Sequence, residues 1–164
     1  MGKVAVVMGS ASDLPVAEKA VAVLREYEVP VEVRVLSAHR CPNEAREFAA
    51  SARESGFSCL IAAAGMAAHL AGALAANCTL PVIGIPCGGG AFSGMDALLS
   101  TVQMPSGIPV AAVAVDGAKN AALLAIQILA VTDEALARKL EEARQREKAA
   151  VLAKDQELRE RFQG

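Results

Sequence analysis

The first apolar run, Lys3–Met8, is rich in valine and stops at Gly9; a helical spacing of Val16, Ala20, Val23 and Leu24 then opens after Asp13 and continues to about Glu28. That is strand, loop, helix. The alternation repeats with Val31–Ser37 as strand, Asn43–Ser55 as helix, Ser58–Ala64 as strand and Ala67–Asn77 as helix. Pro81–Pro86 predicts a fourth strand, Gly94–Thr101 a short helix, Val110–Asp116 a fifth strand and Ala118–Ala130 the helix after it. Runs that are apolar at every position, such as Cys59–Ala64, predict strands buried on both faces, the pattern of a parallel sheet covered by helices on both sides. The expected fold is α/β: a three-layer sandwich around a five-stranded parallel sheet in flavodoxin-like order.

From Thr132 the pattern changes. Residues 132–164 hold 8 of the 16 basic and 8 of the 18 acidic residues, which predicts a long, charged C-terminal helix. Thr132, Asp133 and Glu134 offer its cap, and Leu136, Leu140, Ala143, Val151, Leu158 and Phe162 form a thin apolar stripe. Such a helix either stands in solvent, held by intrahelical ion pairs, or lays its stripe on a neighbouring subunit. The chain thus divides into an α/β part, 1–131, and a helix, 132–164, that belongs to the same domain.

Composition narrows the function classes. With 54% hydrophobic residues and a mean hydropathy of +0.37, the chain can close a core, which excludes disorder. Sixteen basic against 18 acidic residues leave no basic field for nucleic acid or for an anionic membrane surface. Nor does any apolar run reach spanning length without Gly, Pro or polar interruption. Alanine fills 35 positions while Phe, Tyr and Trp together fill five, so the core is built from small side chains. A chain of that kind is expected to complete its burial as a homo-oligomer. Cys41, Cys59, Cys78 and Cys87 are spaced without a Cys-x-x-Cys pair or a signal peptide ahead of them, as reduced thiols of a cytoplasmic protein would be.

In a parallel α/β sheet ligands gather at the carboxyl ends of the strands. After the first strand, Gly9–Asp13 places the hydroxyls of Ser10 and Ser12 and the Asp13 carboxylate at a helix start, a setting that suits a phosphate; simple capping by Ser12 or Asp13 is the other reading. After the second, Ser37-Ala38-His39-Arg40-Cys41-Pro42 sets an imidazole, which can exchange protons near neutral pH, beside a guanidinium fork that suits phosphate or carboxylate. His69, the only other histidine, follows the third strand and is either a packed residue or part of the same rim. Gly88–Gly94 and Val102–Gly107 add glycine-shaped loops after the fourth strand. No dinucleotide, Walker, nucleophile-elbow or zincin motif is present, and two histidines 30 residues apart give no zinc spacing, so neither cofactor nor metal is expected.

Four motifs now stand in order: Met8–Asp13, Ser37–Pro42, Ala67-Ala68-His69-Leu70 and Val102–Pro109. They resemble the N5-carboxyaminoimidazole ribonucleotide mutases, the small carboxylase family of purine biosynthesis, and the likeness runs to about Ala130. The resemblance implies a cofactor-free rearrangement in which a carboxylate moves from N5 to C4 of a ribonucleotide substrate, with carbon dioxide released and recaptured in a closed pocket. It carries substrate contacts to Ser10, Asp13 and Arg40, with Ser12 and Ser37 as further phosphate or ribose partners. It assigns His39 as the catalytic histidine and places His69 at the second histidine. It also implies an octamer with active sites near subunit contacts. The sequence departs from the usual pattern at Met66, where glycine is common, at Ala71, where proline is common, and at Cys41, where threonine is frequent. A sister group that carboxylates aminoimidazole ribonucleotide directly lacks Ala67–Leu70, which favours the mutase. A noncatalytic nucleotide-binding module would keep the phosphate loop and Arg40 without needing His39, and a purely structural oligomer would need none of these loops.

Overall fold

The computed structural model describes residues 2–163. Five parallel strands, β1 (Lys3–Met8), β2 (Val31–Val35), β3 (Phe57–Gly65), β4 (Val82–Cys87) and β5 (Ala111–Ala112), pair in the order β2-β1-β3-β4-β5. The helices are α1 (Leu14–Glu26), α2 (Pro42–Ser51), α3 (Leu70–Ala75), α4 (Met95–Val102), α5 (Ala118–Ala130) and α6 (Glu134–Phe162). This is the expected sandwich in flavodoxin-like order.

The alternation of side chains across the pleat sends Val4, Val6 and Met8 to one face of the sheet and Ala5 and Val7 to the other. The first face is closed by α1 and α5 through Ala17, Ala20, Leu24, Ala121, Ala125 and Ile126. On the second, Ala45 and Ala49 of α2 and Leu70 and Leu74 of α3 complete the core. Alanine on the helices lets them lie close to the sheet, and Gly84 takes this furthest. A Cβ added there would overlap the Thr101 methyl of α4 and crowd Ala71 and Val110 at 3.2 and 3.3 Å. Thr101 is itself buried, its hydroxyl donating to the Ala97 carbonyl at 2.7 Å. Gly84→Ala is therefore expected to cost about 1–3 kcal/mol by overpacking, read as a lowered Tm. An unchanged Tm would mean that α4 moves freely off the sheet.

Several elements depart from the sequence pattern. The fifth strand, expected over Val110–Asp116, keeps ladder pairing only at Ala111 and Ala112. Beyond them Val113 and Asp116 still donate to Gly84 and Pro86 of β4, but Asp116 turns at φ 56 and Gly117 closes a turn onto Ala114. The third helix starts at Leu70 rather than Ala67, because Met66 adopts φ 50 and the Ala68 N–H turns back onto its carbonyl. His69 consequently stands just ahead of the helix. The edge strand β2 exposes Val33 and Val35, unlike β1, β3 and β4.

Asp133 caps α6, accepting from the Ala135 and Leu136 N–H groups at 3.1 Å, while Thr132 takes no part in the cap. Leu136 is buried and Leu140 and Ala143 pack beside it, joining the start of α6 to the first face of the core. A Lys139–Glu28 ion pair adds a second tie, to the turn after α1. From Arg144 to Gln163 every residue is exposed. No described helix is long and apolar enough to cross a membrane.

Candidate active site

The first crossover carries the chain from β1 to β2 on one side, and the next returns it to β3 on the other, so the turns after β1 and β3 part and leave a crevice. A cleft of about 270 Å³ occupies this place, walled by Gly9, Ser10, Ser12 and Asp13 from the first turn, Ser37–Arg40 from the second, and Ala64–Ala67, His69 and Leu70 from the third. A larger hollow of about 410 Å³ between α5 and α6 contains neither histidine and lies away from the strand ends. The smaller cleft holds the chemistry.

Each turn is fixed by local bonding. Gly9 extends the β1 ladder by donating to Ala63 at 3.0 Å, after which the chain makes a single 3-10 turn over Ala11–Asp13. Ser10, not Ser12 or Asp13, caps that turn: its Oγ accepts from the Ser12 N–H at 3.3 Å and the Ser12 hydroxyl at 2.9 Å. Asp13 makes no capping bond to α1, whose first turn is set by Pro15. The Ser12 and Asp13 side chains therefore line the cleft. In the second turn the Cys41 N–H donates to the Ser37 carbonyl at 2.9 Å and the Arg40 N–H to Ser37 Oγ at 3.2 Å, which leaves His39 and Arg40 exposed at the apex. Among the described residues the Arg40 guanidinium has no carboxylate partner, leaving its fork open to an anion.

The two histidines meet across the cleft, their ring centroids 5.1 Å apart and the planes tilted by 34°. His69 reaches this position as the residue before α3, where the Met66 turn has already redirected the backbone. All seven residues picked out by sequence, Ser10, Ser12, Asp13, Ser37, His39, Arg40 and His69, face this one cleft.

The glycine loop does not. Gly90 lies against the Met66 side chain, which touches the cleft in its turn, and Met104 of the Val102–Gly107 segment packs on Gly72 of α3. Sequence reasoning missed the anchor of the glycine loop, Asp116, whose Oδ1 accepts from the Gly88 N–H at 2.8 Å. The available signal was the Asp116-Gly117 pair, a turn dipeptide that the strand pattern had absorbed.

Burial raises the Asp13 carboxyl pKa above its ordinary value, partly offset by a bond from Ser10. A raised value in the folded state means that this group costs stability as pH rises through the carboxylate range, with the full cost present at neutrality. Asp13→Asn is thus expected to raise Tm at pH 7 and to lose that advantage below about pH 4. Equal Tm values for variant and parent at pH 7 would contradict this. Burial, with the carboxylates of Asp13 and Asp116 nearby, pushes the Cys87 thiol up to about 12, and burial does the same to Cys59, so neither serves as a nucleophile. Among the described residues no three His, Cys, Asp or Glu side chains gather as a metal site.

The family model for AIR carboxylase matches residues 3–150. The chain belongs to the AIR carboxylase family. Among relatives of this AIR carboxylase-family chain, the N5-carboxyaminoimidazole ribonucleotide mutase of Pyrococcus abyssi is 52% identical over 145 residues, covering 88% of this chain and 83% of its own. The phosphoribosylaminoimidazole carboxylase of Saccharomyces cerevisiae is 47% identical over 155 residues, 94% of this chain and 27% of the yeast protein. The crystal structure of Treponema denticola PurE superposes with a TM-score of 0.85 at 28% identity, covering 94% of this chain and 97% of that one.

Proposed function

We propose that this chain converts N5-carboxyaminoimidazole ribonucleotide to 4-carboxy-5-aminoimidazole ribonucleotide in purine biosynthesis. The supporting observation is the meeting of His39 and His69 at 5.1 Å in a cleft that also holds Ser10, Ser12, Ser37 and an unpaired Arg40, in a member of the AIR carboxylase family. Ser10, Ser12 and Arg40 take the 5′-phosphate, Ser37 holds the ribose or phosphate nearby, and the Asp13 carboxylate accepts from a hydroxyl of the substrate. The imidazole ring of the substrate then lies toward the histidines.

The bond from N5 to its carboxyl carbon breaks, the electron pair remains on nitrogen, and His39 supplies the proton that nitrogen takes up. Carbon dioxide stays in the cleft. C4 attacks its carbon, and His39, now the base, removes the C4 proton, so that His39 ends in the state in which it began. No electrons leave the substrate. Exclusion of water once substrate fills the cleft keeps carbon dioxide from escaping between the two steps, and His69 shapes the pocket around it.

The protein acts as a homo-oligomer, an octamer in the form the family resemblance implies, and in the cytoplasm, where four free thiols persist. The exposed Val151, Leu152, Leu158 and Phe162 of α6, with Phe92, Met95 and Leu99 near α4, support subunit contacts. Direct carboxylation of aminoimidazole ribonucleotide is the second reading, favoured by the 47% identity to the yeast carboxylase. The purified protein should be given N5-carboxyaminoimidazole ribonucleotide in one assay and aminoimidazole ribonucleotide with bicarbonate in another. Rapid turnover of the first alone is expected; rapid turnover of the second alone would replace the mutase by the carboxylase.

A further inference from the structure

The turn that carries His39 and Arg40 is closed by side chains as well as by backbone. Cys41 Sγ accepts from the Ser37 N–H at 3.1 Å and donates to the Ser37 carbonyl at 3.2 Å, so a single thiol holds both backbone groups of the residue at the other end of the turn. Ser37 answers through its own hydroxyl, which accepts from the Arg40 N–H at 3.2 Å. Cys41 and Ala38 also pack against the second face of the core, beside the cluster that includes Leu36 and Ala45, so the latch is footed on rigid structure while the apex stays exposed.

We propose that the Ser37/Cys41 pair is a positioning latch, with the Cys41 thiol setting where the His39 imidazole stands relative to His69 and to the substrate. The proposal rests on the mutase reading for its kinetic arm. Neither bond of the thiol requires sulfur: a hydroxyl at the same place can accept from one backbone group and donate to the other, whereas a methyl group can do neither. Loss of the latch should affect proton transfer more than binding. A misplacement of about 1 Å suffices to slow a proton transfer severely, while a long guanidinium can follow a phosphate.

Parent, Cys41→Ser and Cys41→Ala proteins should be compared for kcat and KM with N5-carboxyaminoimidazole ribonucleotide, and for their imidazole signals in ¹⁵N-histidine NMR spectra. The chain has two histidines, so a His39→Asn sample assigns both. Cys41→Ala is expected to lower kcat about tenfold with KM changed less than about threefold, and Cys41→Ser to restore kcat to within about threefold of the parent. The His39 signals should move in Cys41→Ala and stay near their parental positions in Cys41→Ser. Parental kcat in Cys41→Ala, or equal losses in both variants, would overturn the proposal.

Should Cys41→Ala fail to fold, methyl methanethiosulfonate on the folded Cys78→Ser protein gives the same test, since Cys59 and Cys87 are buried. The thiol takes up the S-methyl group with release of sulfinate, and kcat should fall and return on addition of dithiothreitol; full activity of the blocked protein would overturn the latch. If the parent does not turn over the substrate, the functional reading fails by itself. The His39 signals then still decide, and identical signals in all three proteins would overturn the latch.

Discussion

His39→Asn should lower turnover by roughly 10²–10⁴-fold, the range for loss of an acid–base group, while substrate binding and Tm stay close to the parent. His39 is exposed at the apex of the second turn and contributes nothing to the core, so its loss leaves the fold intact. Asparagine keeps a hydrogen-bonding group of similar reach but exchanges no proton. His69→Asn should cost less and act through the shape of the pocket, because His69 stands at the start of α3 and faces His39 rather than sharing the turn with Arg40. Near-parental turnover in His39→Asn would refute the assignment, and near-total loss in a folded His69→Asn protein would transfer the role to His69.

The second large effect is expected at Arg40. Removing a charge-assisted hydrogen bond costs about 1.5–3 kcal/mol, so Arg40→Met should weaken substrate binding by about 10–10²-fold. Lysine keeps the charge and loses the planar fork, so Arg40→Lys should fall between Arg40→Met and the parent. Because Arg40 has no carboxylate partner among the described residues, neither change strands a buried charge, and Tm should hold. Binding of substrate by Arg40→Lys as tightly as by the parent would show that the anion is read elsewhere.

Much of this arrangement is legible along the chain because its causes are local or periodic. Apolar runs such as Cys59–Ala64 announce strands buried on both faces, and polar loops at their carboxyl ends mark the rim before any fold is known. The convergence of Ser10, His39 and His69 follows once those loops share one sheet edge. What stayed hidden depends on backbone geometry that residue type does not declare, or on contacts distant in sequence. Met66 turns at φ 50, in a region that favours glycine, so no helix propensity could place the start of α3 at Leu70. Asp116 holds Gly88 from 28 residues away, which no local pattern records. The Cys41 thiol bonds across its own turn, yet a cysteine in a sequence reads as a small apolar residue unless its neighbours are known in space.

The proposed carboxylate transfer within one cleft can be followed by the fate of the carbon. Substrate carrying ¹³C in its N5 carboxylate should be turned over by the purified protein in a large excess of unlabelled bicarbonate, and the 4-carboxy product collected before equilibrium. Retention of the label at C4 is the predicted result, since the released carbon dioxide is recaptured before it mixes with solvent. Product that carries only unlabelled carboxylate would contradict the account, for it would mean that the new carboxyl group comes from solution.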